Sequence, residues 1–250
     1  MNAIVTSLIV FACIFGGALF GMFLRAALPA HHFEDDTKDV IKLGMGLVAT
    51  MTALLLGLLI ASAKGSYDTQ KAEVAELSAK VIFLDRLLAR YGPETKELRD
   101  LVRVTAEREI DRVWPNDRAR APQLEPGGSA AFPYDKIQEL SPKDDAQRAG
   151  KVQALSILTE IRQTRWLMFA QRGSSFPMLF LVVVVSWLTL IFISFGLYAP
   201  RNATVIATLF VCALSVTGAI LMILELNTPF EGLIQISPAQ LRDTLMVLGQ

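Results

Sequence analysis

The densest group of side chains able to do chemistry is His31 and His32, followed closely by Glu34, Asp35, Asp36 and Asp39. Imidazole and carboxylate together suggest metal ligation or proton transfer, but neighbours on a helix point about 100° apart, so joint chelation by the two histidines would require loop geometry. A solvated acidic loop explains the same residues more simply. No Ser-His-Asp set, CxxC pair, Walker loop or GxGxxG occurs anywhere in the chain. The two cysteines, Cys13 and Cys212, both lie in apolar runs where a disulfide framework has no reason to form. The expectation is a protein that is not an enzyme, with no catalytic residue, no metal site and no cofactor.

The elements that would position any site are set by hydropathy. The chain has 250 residues, 52% of them apolar and 19% charged. Four blocks carry no Asp, Glu, Lys or Arg: Met1 to Leu24, Leu43 to Ala63, Gly173 to Pro200 and Asn202 to Leu224. Each exceeds the roughly 18 residues that mark a membrane span, and unbroken apolar runs exclude the alternation of a β-barrel. The fold class expected is all-α, an integral membrane four-helix subunit with long helical extensions between spans 2 and 3. The first block reads as a mature helix, since no Lys or Arg precedes it and it is too long for a signal-peptide core.

Charge is balanced, 24 basic against 24 acidic residues, which points away from a nucleic-acid partner. It is also concentrated, because Lys64 to Phe176 holds 19 of the basic and 17 of the acidic residues. Lys64, Lys71, Arg162, Arg165 and Arg172 outnumber the positive charges flanking the other loops, so both termini and the insert are expected on the cytoplasmic side of a bacterial inner membrane. Trp166 and Phe169 suit an interfacial position before the third span. The expected organisation is residues 1–63 as spans 1 and 2 with a short external acidic loop, 64–172 as a cytoplasmic helical insert, 173–226 as spans 3 and 4, and 227–250 as a C-terminal turn and amphipathic helix.

Within the insert, Val74, Leu77, Val81, Leu84 and Leu88 recur at helical spacing, so one long helix is predicted from about Val40 to Tyr91. Gly92 ends it and Pro93 opens a second helix that Pro115 closes. Residues 116–133 read as a flexible loop. Ser141, with Pro142 behind it, is expected to cap a third helix running toward span 3. Ser237 and Pro238 start a last helix with Leu241, Leu245 and Leu248 on one side, against the membrane surface or the other cytoplasmic helices.

Lipid gives no hydrophobic drive between helices, so small residues mark close approach. Cys13, Gly17 and Gly21 repeat in the first span, and Gly46, Thr50, Ala53, Gly57 and Ala61 in the second. Both stripes are expected to pack against other helices. The opposite face of span 2, Val48, Thr52, Leu55 and Leu59, is the candidate lining of an apolar pore that gates by dewetting. Glu225, at the end of span 4, meets the negative end of the helix dipole and is expected to pair with Lys64 and Arg172.

Two stretches carry a family likeness: Leu28 to Gln70, LPAHHFEDDTKDVIKLGMGLVATMTALLLGLLIASAKGSYDTQ, and Ile223 to Leu245, ILELNTPFEGLIQISPAQLRDTL. Both resemble the bacterial bestrophin-like family, a membrane domain of unknown function distantly similar to bestrophin anion channels. The resemblance implies a four-span subunit in a ring-shaped homo-oligomer, a pentamer, whose second spans surround a path for small inorganic ions, anions favoured. One departure concerns the neck, rich in Ile and Phe in bestrophins, whereas this second span has no Phe. Two alternatives stand beside the channel: a proton-driven stator-like subunit, which shares the large insert between spans 2 and 3, and a non-conducting membrane scaffold or sensor.

Overall fold

In the computed structural model, residues 2–27, 35–115, 131–172 and 178–248 are described, with the side chains of 35–38, 131, 132, 172, 240 and 247 left out. His31, His32, Glu34 and most of the expected loop 116–133 therefore lie outside the described residues. The described secondary structure is helical: α1 (Ala3–Ala27), α2 (Asp35–Tyr91), a single 3-10 turn (Pro93–Thr95), α3 (Lys96–Val113), α4 (Ala131–Gln138), α5 (Asp145–Arg172), α6 (Met178–Tyr198), α7 (Ala203–Leu226) and α8 (Ala239–Val247). Four of these, α1, α2, α6 and α7, are long and apolar enough to cross a membrane. In lipid only a helix or closed barrel satisfies its own backbone, which is why each apolar run takes this form. Contacts divide the chain into two units, Met1–Ser66 with Phe176–Thr228 and Tyr67–Ser175 with Pro229–Gln250.

In the first unit α1 packs on α6 and α7. A Cβ on Gly21 would collide with the carbonyl oxygen of Ile193, and one on Gly196 with that of Ala18, so the two backbones meet directly. A Cβ on Gly17 would stand 3.0 Å from the Thr189 methyl group, tighter than an ordinary contact. Ile14, Val184, Ala213, Ile220 and Ile223 are wholly buried. Phe11 and Phe15 stack at 5.7 Å, and Phe210 of α7 meets both edge-on. Asn202 opens α7 by accepting the Val205 amide through its side chain, 2.9 Å, which satisfies one of the four free N–H groups of the helix start.

The second unit joins the remainder of α2 to α3, α4, α5 and α8. One core gathers Leu84, Leu88, Val102, Ile137 and Leu158, and another gathers Val74, Ile110, Trp114, Met168 and Phe230. At Gly92 φ is +143°, where a side chain would be strained, so the chain turns out of α2 at a residue without one. The Thr95 hydroxyl donates to the Leu88 carbonyl at 2.5 Å, closing the end of α2. Arg99 grips Asp85 through two bonds of 2.8 Å, fixing α3 against α2, and this bond to Asp85 pushes the guanidinium pKa up further.

Two expectations change here, and a third is narrowed. The cap of α5 is Asp144 rather than Ser141: its carboxylate accepts the Gln147 amide at 2.7 Å while the Gln147 side chain accepts the Lys143 amide at 2.7 Å. A charged acceptor at the positive end of a helix outcompetes a hydroxyl three residues earlier. Residues 131–133, expected as loop, begin α4, where Pro133 falls in the first turn and costs no hydrogen bond. The C-terminal segment is no separate appendage. Phe230 and Ile236 enter the second core, Trp114 donates its indole N–H to the Ile236 carbonyl at 2.8 Å, the Ile236 amide donates to Pro229 O at 2.8 Å, and α8 packs on α3. That explains why a stretch so rich in turn residues is also so specific: Pro229, Phe230, Gly232 (φ +85°) and Ile236 form one compact anchor.

Candidate functional site

Span 2 stands apart from the other three. Within its most apolar window 11% of residues are buried, against 28–33% in α1, α6 and α7. The difference is one-sided. Thr52, Leu59 and Ala63 are buried and Val48 and Leu55 half-buried, whereas Leu43, Leu47, Thr50, Leu54, Gly57, Leu58 and Ala61 are exposed. Leu43, Leu47, Thr50, Leu54, Gly57 and Ala61 step by four, three, four, three and four, which lines them along one face of a helix.

Both sets of α2 residues expected from the sequence can be placed on these faces. Val48, Thr52, Leu55 and Leu59, anticipated as pore lining, lie on the covered side of the helix, with Thr52 3% and Leu59 5% exposed. The branched side chains there supply area to bury, and the Thr52 hydroxyl is satisfied by donating to Val48 O at 2.7 Å. Gly46, Thr50 and Gly57, anticipated as packing residues, are exposed, and a Cβ on either glycine would meet nothing within 4 Å. Thr50 likewise turns its hydroxyl inward, to Gly46 O at 2.9 Å. The exposed face is left with methyl, methylene and glycine Cα surface, a lining that offers ions no ligand and excludes water when narrow. In α1, by contrast, Gly17 and Gly21 do meet α6.

Charge gathers at one end of the first unit. Arg25, in the last turn of α1, donates to the carbonyls of Tyr198 and Ala199 at the end of α6, 3.2 and 2.5 Å. Arg201 donates to Met22 O in α1 at 2.5 Å. Each guanidinium thus donates to carbonyls near the C-terminal, negative end of a neighbouring helix. Nearby in sequence, Lys42 and Asp39 pair at 3.1 Å with both side chains exposed. Toward the other end of α7, Glu225 is buried, while Lys64 is exposed and the Arg172 side chain lies outside the described residues.

In the second unit the ion pairs tie helices together. Lys80 of α2 holds Glu76 at 2.6 Å and Glu160 of α5 at 3.3 Å, and the Glu76 bond is the main cause of its raised pKa. Glu109 of α3 and Arg165 of α5 meet at 2.5 Å. No group of three His, Cys, Asp or Glu able to hold a metal occurs among the described residues. Gly196, Arg25 and Arg201 were not singled out from the sequence. A lone glycine in a span has no period to detect, and a side chain capping a helix 173 positions away leaves no local trace.

A family model described as the Bestrophin-like domain matches residues 12–241. Among solved structures, the chain is similar to a bacterial bestrophin homolog from Klebsiella pneumoniae, with a TM-score of 0.61 and 12% identity over 97% of this chain and 99% of that one. Identity this low speaks to fold rather than activity. No curated protein matches.

Proposed function

The chain belongs to the bestrophin-like family, and from that premise we propose that it is a subunit of a ring-shaped homo-oligomeric ion channel, pentameric as the family resemblance implies, selective for small anions. The observation that carries this reading is the uncovered stripe of α2 from Leu47 through Thr50, Leu54 and Gly57 to Ala61. Copies arranged with these stripes inward would enclose an apolar constriction, and the small residues would let the helices approach without closing it. The choice of anion rests on the family resemblance. The channel is proposed to sit in a bacterial inner membrane, with both termini and the insert 64–172 on the cytoplasmic side, in keeping with the Lys and Arg bias of the insert.

The test is ion efflux from liposomes carrying purified protein, with chloride and potassium gradients measured separately for wild type and Leu54→Arg. Chloride efflux well above potassium efflux, changed at least tenfold by the substitution, supports the reading. Tight liposomes holding correctly assembled protein would overturn conduction and favour the scaffold reading. Flux indifferent to Leu54→Arg would move the path away from α2.

A further inference from the structure

The second unit contains a cavity of about 130 Å³ among α2, α3, α5 and α8, walled by Val81, Leu84, Val102, Trp114, Leu158 and Ile161. The pocket is half open rather than enclosed, and among the described residues the side chains around it lack protein neighbours on that side. Its polar groups are few and largely committed. Glu109 and Arg165, both on the wall, neutralise each other at 2.5 Å. The Trp114 indole N–H is taken by Ile236 O, which leaves the ring to the cavity as a flat apolar surface. Thr105 adds one hydroxyl to the wall.

We propose that this cavity is a binding site for a small uncharged molecule with a single aromatic or alicyclic ring and one hydrogen-bonding group. Size sets the ring count, because an apolar protein cavity of about 150 Å³ holds one benzene. Charge is disfavoured, since the internal pair supplies no net field and an ion would lose its hydration among aliphatic walls. The hydroxyl of Thr105, together with the edge of the Glu109–Arg165 pair, gives one polar substituent a partner, while Trp114 offers the ring an edge or a face. Such an occupant would restore the lost contacts of α2, α3 and α5 at once, so its binding should tighten the unit as a whole.

The experiment uses the full chain in detergent, titrated with toluene and with phenol while thermal unfolding is followed by near-ultraviolet circular dichroism. Both probes should raise the apparent Tm, by about 3 °C at roughly ten times their Kd, with phenol binding about fivefold tighter than toluene. Ala106→Leu, which fills the cavity, should weaken both at least tenfold, and Thr105→Val should erase the preference for phenol. Leu158→Ala enlarges the space and should admit naphthalene, which the wild type excludes; this variant keeps the proposal open to failure if Ala106→Leu does not fold. An equal response in wild type and Ala106→Leu would mean partition into the micelle and overturn the site. No response in wild type, or no gain in Leu158→Ala, would overturn it as well.

Discussion

In α1 small residues recur at Cys13, Gly17 and Gly21, and in α2 at Gly46, Thr50, Gly57 and Ala61, a near-identical repeat in two neighbouring spans. The glycines of α1 bring its backbone against α6, with Gly21 touching Ile193 and Gly196 answering from the other side. A Cβ on Gly46 or Gly57 of α2 would meet nothing within 4 Å among the described residues. In lipid, small residues are informative because only close packing holds helices together, yet the repeat says that something comes near without saying whether it belongs to the same chain. One span has its partner in the subunit. The other presents the same kind of surface outward, which is what an assembling subunit would need.

The comparison is broken most readily at its strong end. Gly21→Leu must push α1 off the Ile193 carbonyl, and a loss of about 3 kcal/mol is expected from thermal unfolding followed by helicity; an unchanged melting curve would mean that the glycine contact holds nothing. The second unit packs by large side chains instead, so its weak points are single polar bonds. Trp114→Phe shrinks the buried indole to a phenyl ring and strands the Ile236 carbonyl, for an expected loss of about 2 kcal/mol in the same assay.

Tyr91 sharpens the contrast from the opposite side. Its hydroxyl is buried with no hydrogen-bond partner among the described residues, and burial, with Glu94 adding to it, pushes its pKa up from 10.0. Tyr91→Phe should therefore gain about 1 kcal/mol at neutral pH. The raised pKa favours the neutral phenol in the folded state, so wild type keeps this contribution below about pH 10 and loses it as pH rises through the folded value. The advantage of the Phe variant should widen above pH 10 in a melting series, and an advantage that narrows there would contradict the burial. The smallest effect on stability belongs to Gly57→Leu, within about 0.5 kcal/mol, because a Cβ there meets nothing within 4 Å among the described residues. Its consequence should appear in native mass spectrometry as loss of the oligomer; assembly of normal size would remove α2 from the subunit interface.

The helices themselves were legible because backbone satisfaction in lipid leaves apolar runs no other form, and α2 was expected to continue unbroken past Val74, Leu84 and Leu88. The two faces of α2 were also correctly separated by periodicity. Their roles were not, since lipid, a neighbouring copy and the subunit interior are all apolar, and no sequence period distinguishes Thr52 facing inward from Thr50 facing out. Short elements were harder. At eight residues α4 is too brief for a period to emerge, and Pro133 argued for a loop. For α5, Ser141 was expected as the cap, and Asp144 takes its place through a reciprocal pair in which Gln147 reaches back to Lys143.

The crossed arginines have a consequence in time. Arg25 and the Tyr198 carbonyl that it caps are 173 positions apart in the chain. At about 5–20 residues per second, synthesis leaves α1 waiting for its partner for roughly 10–30 s. Through that interval its glycine face borders lipid, and residues 67–175 of the second unit emerge from the ribosome before the first can close. Errors in making α1 should thus surface late, at the arrival of α6, as abandoned chains rather than as failed insertion of the first helix.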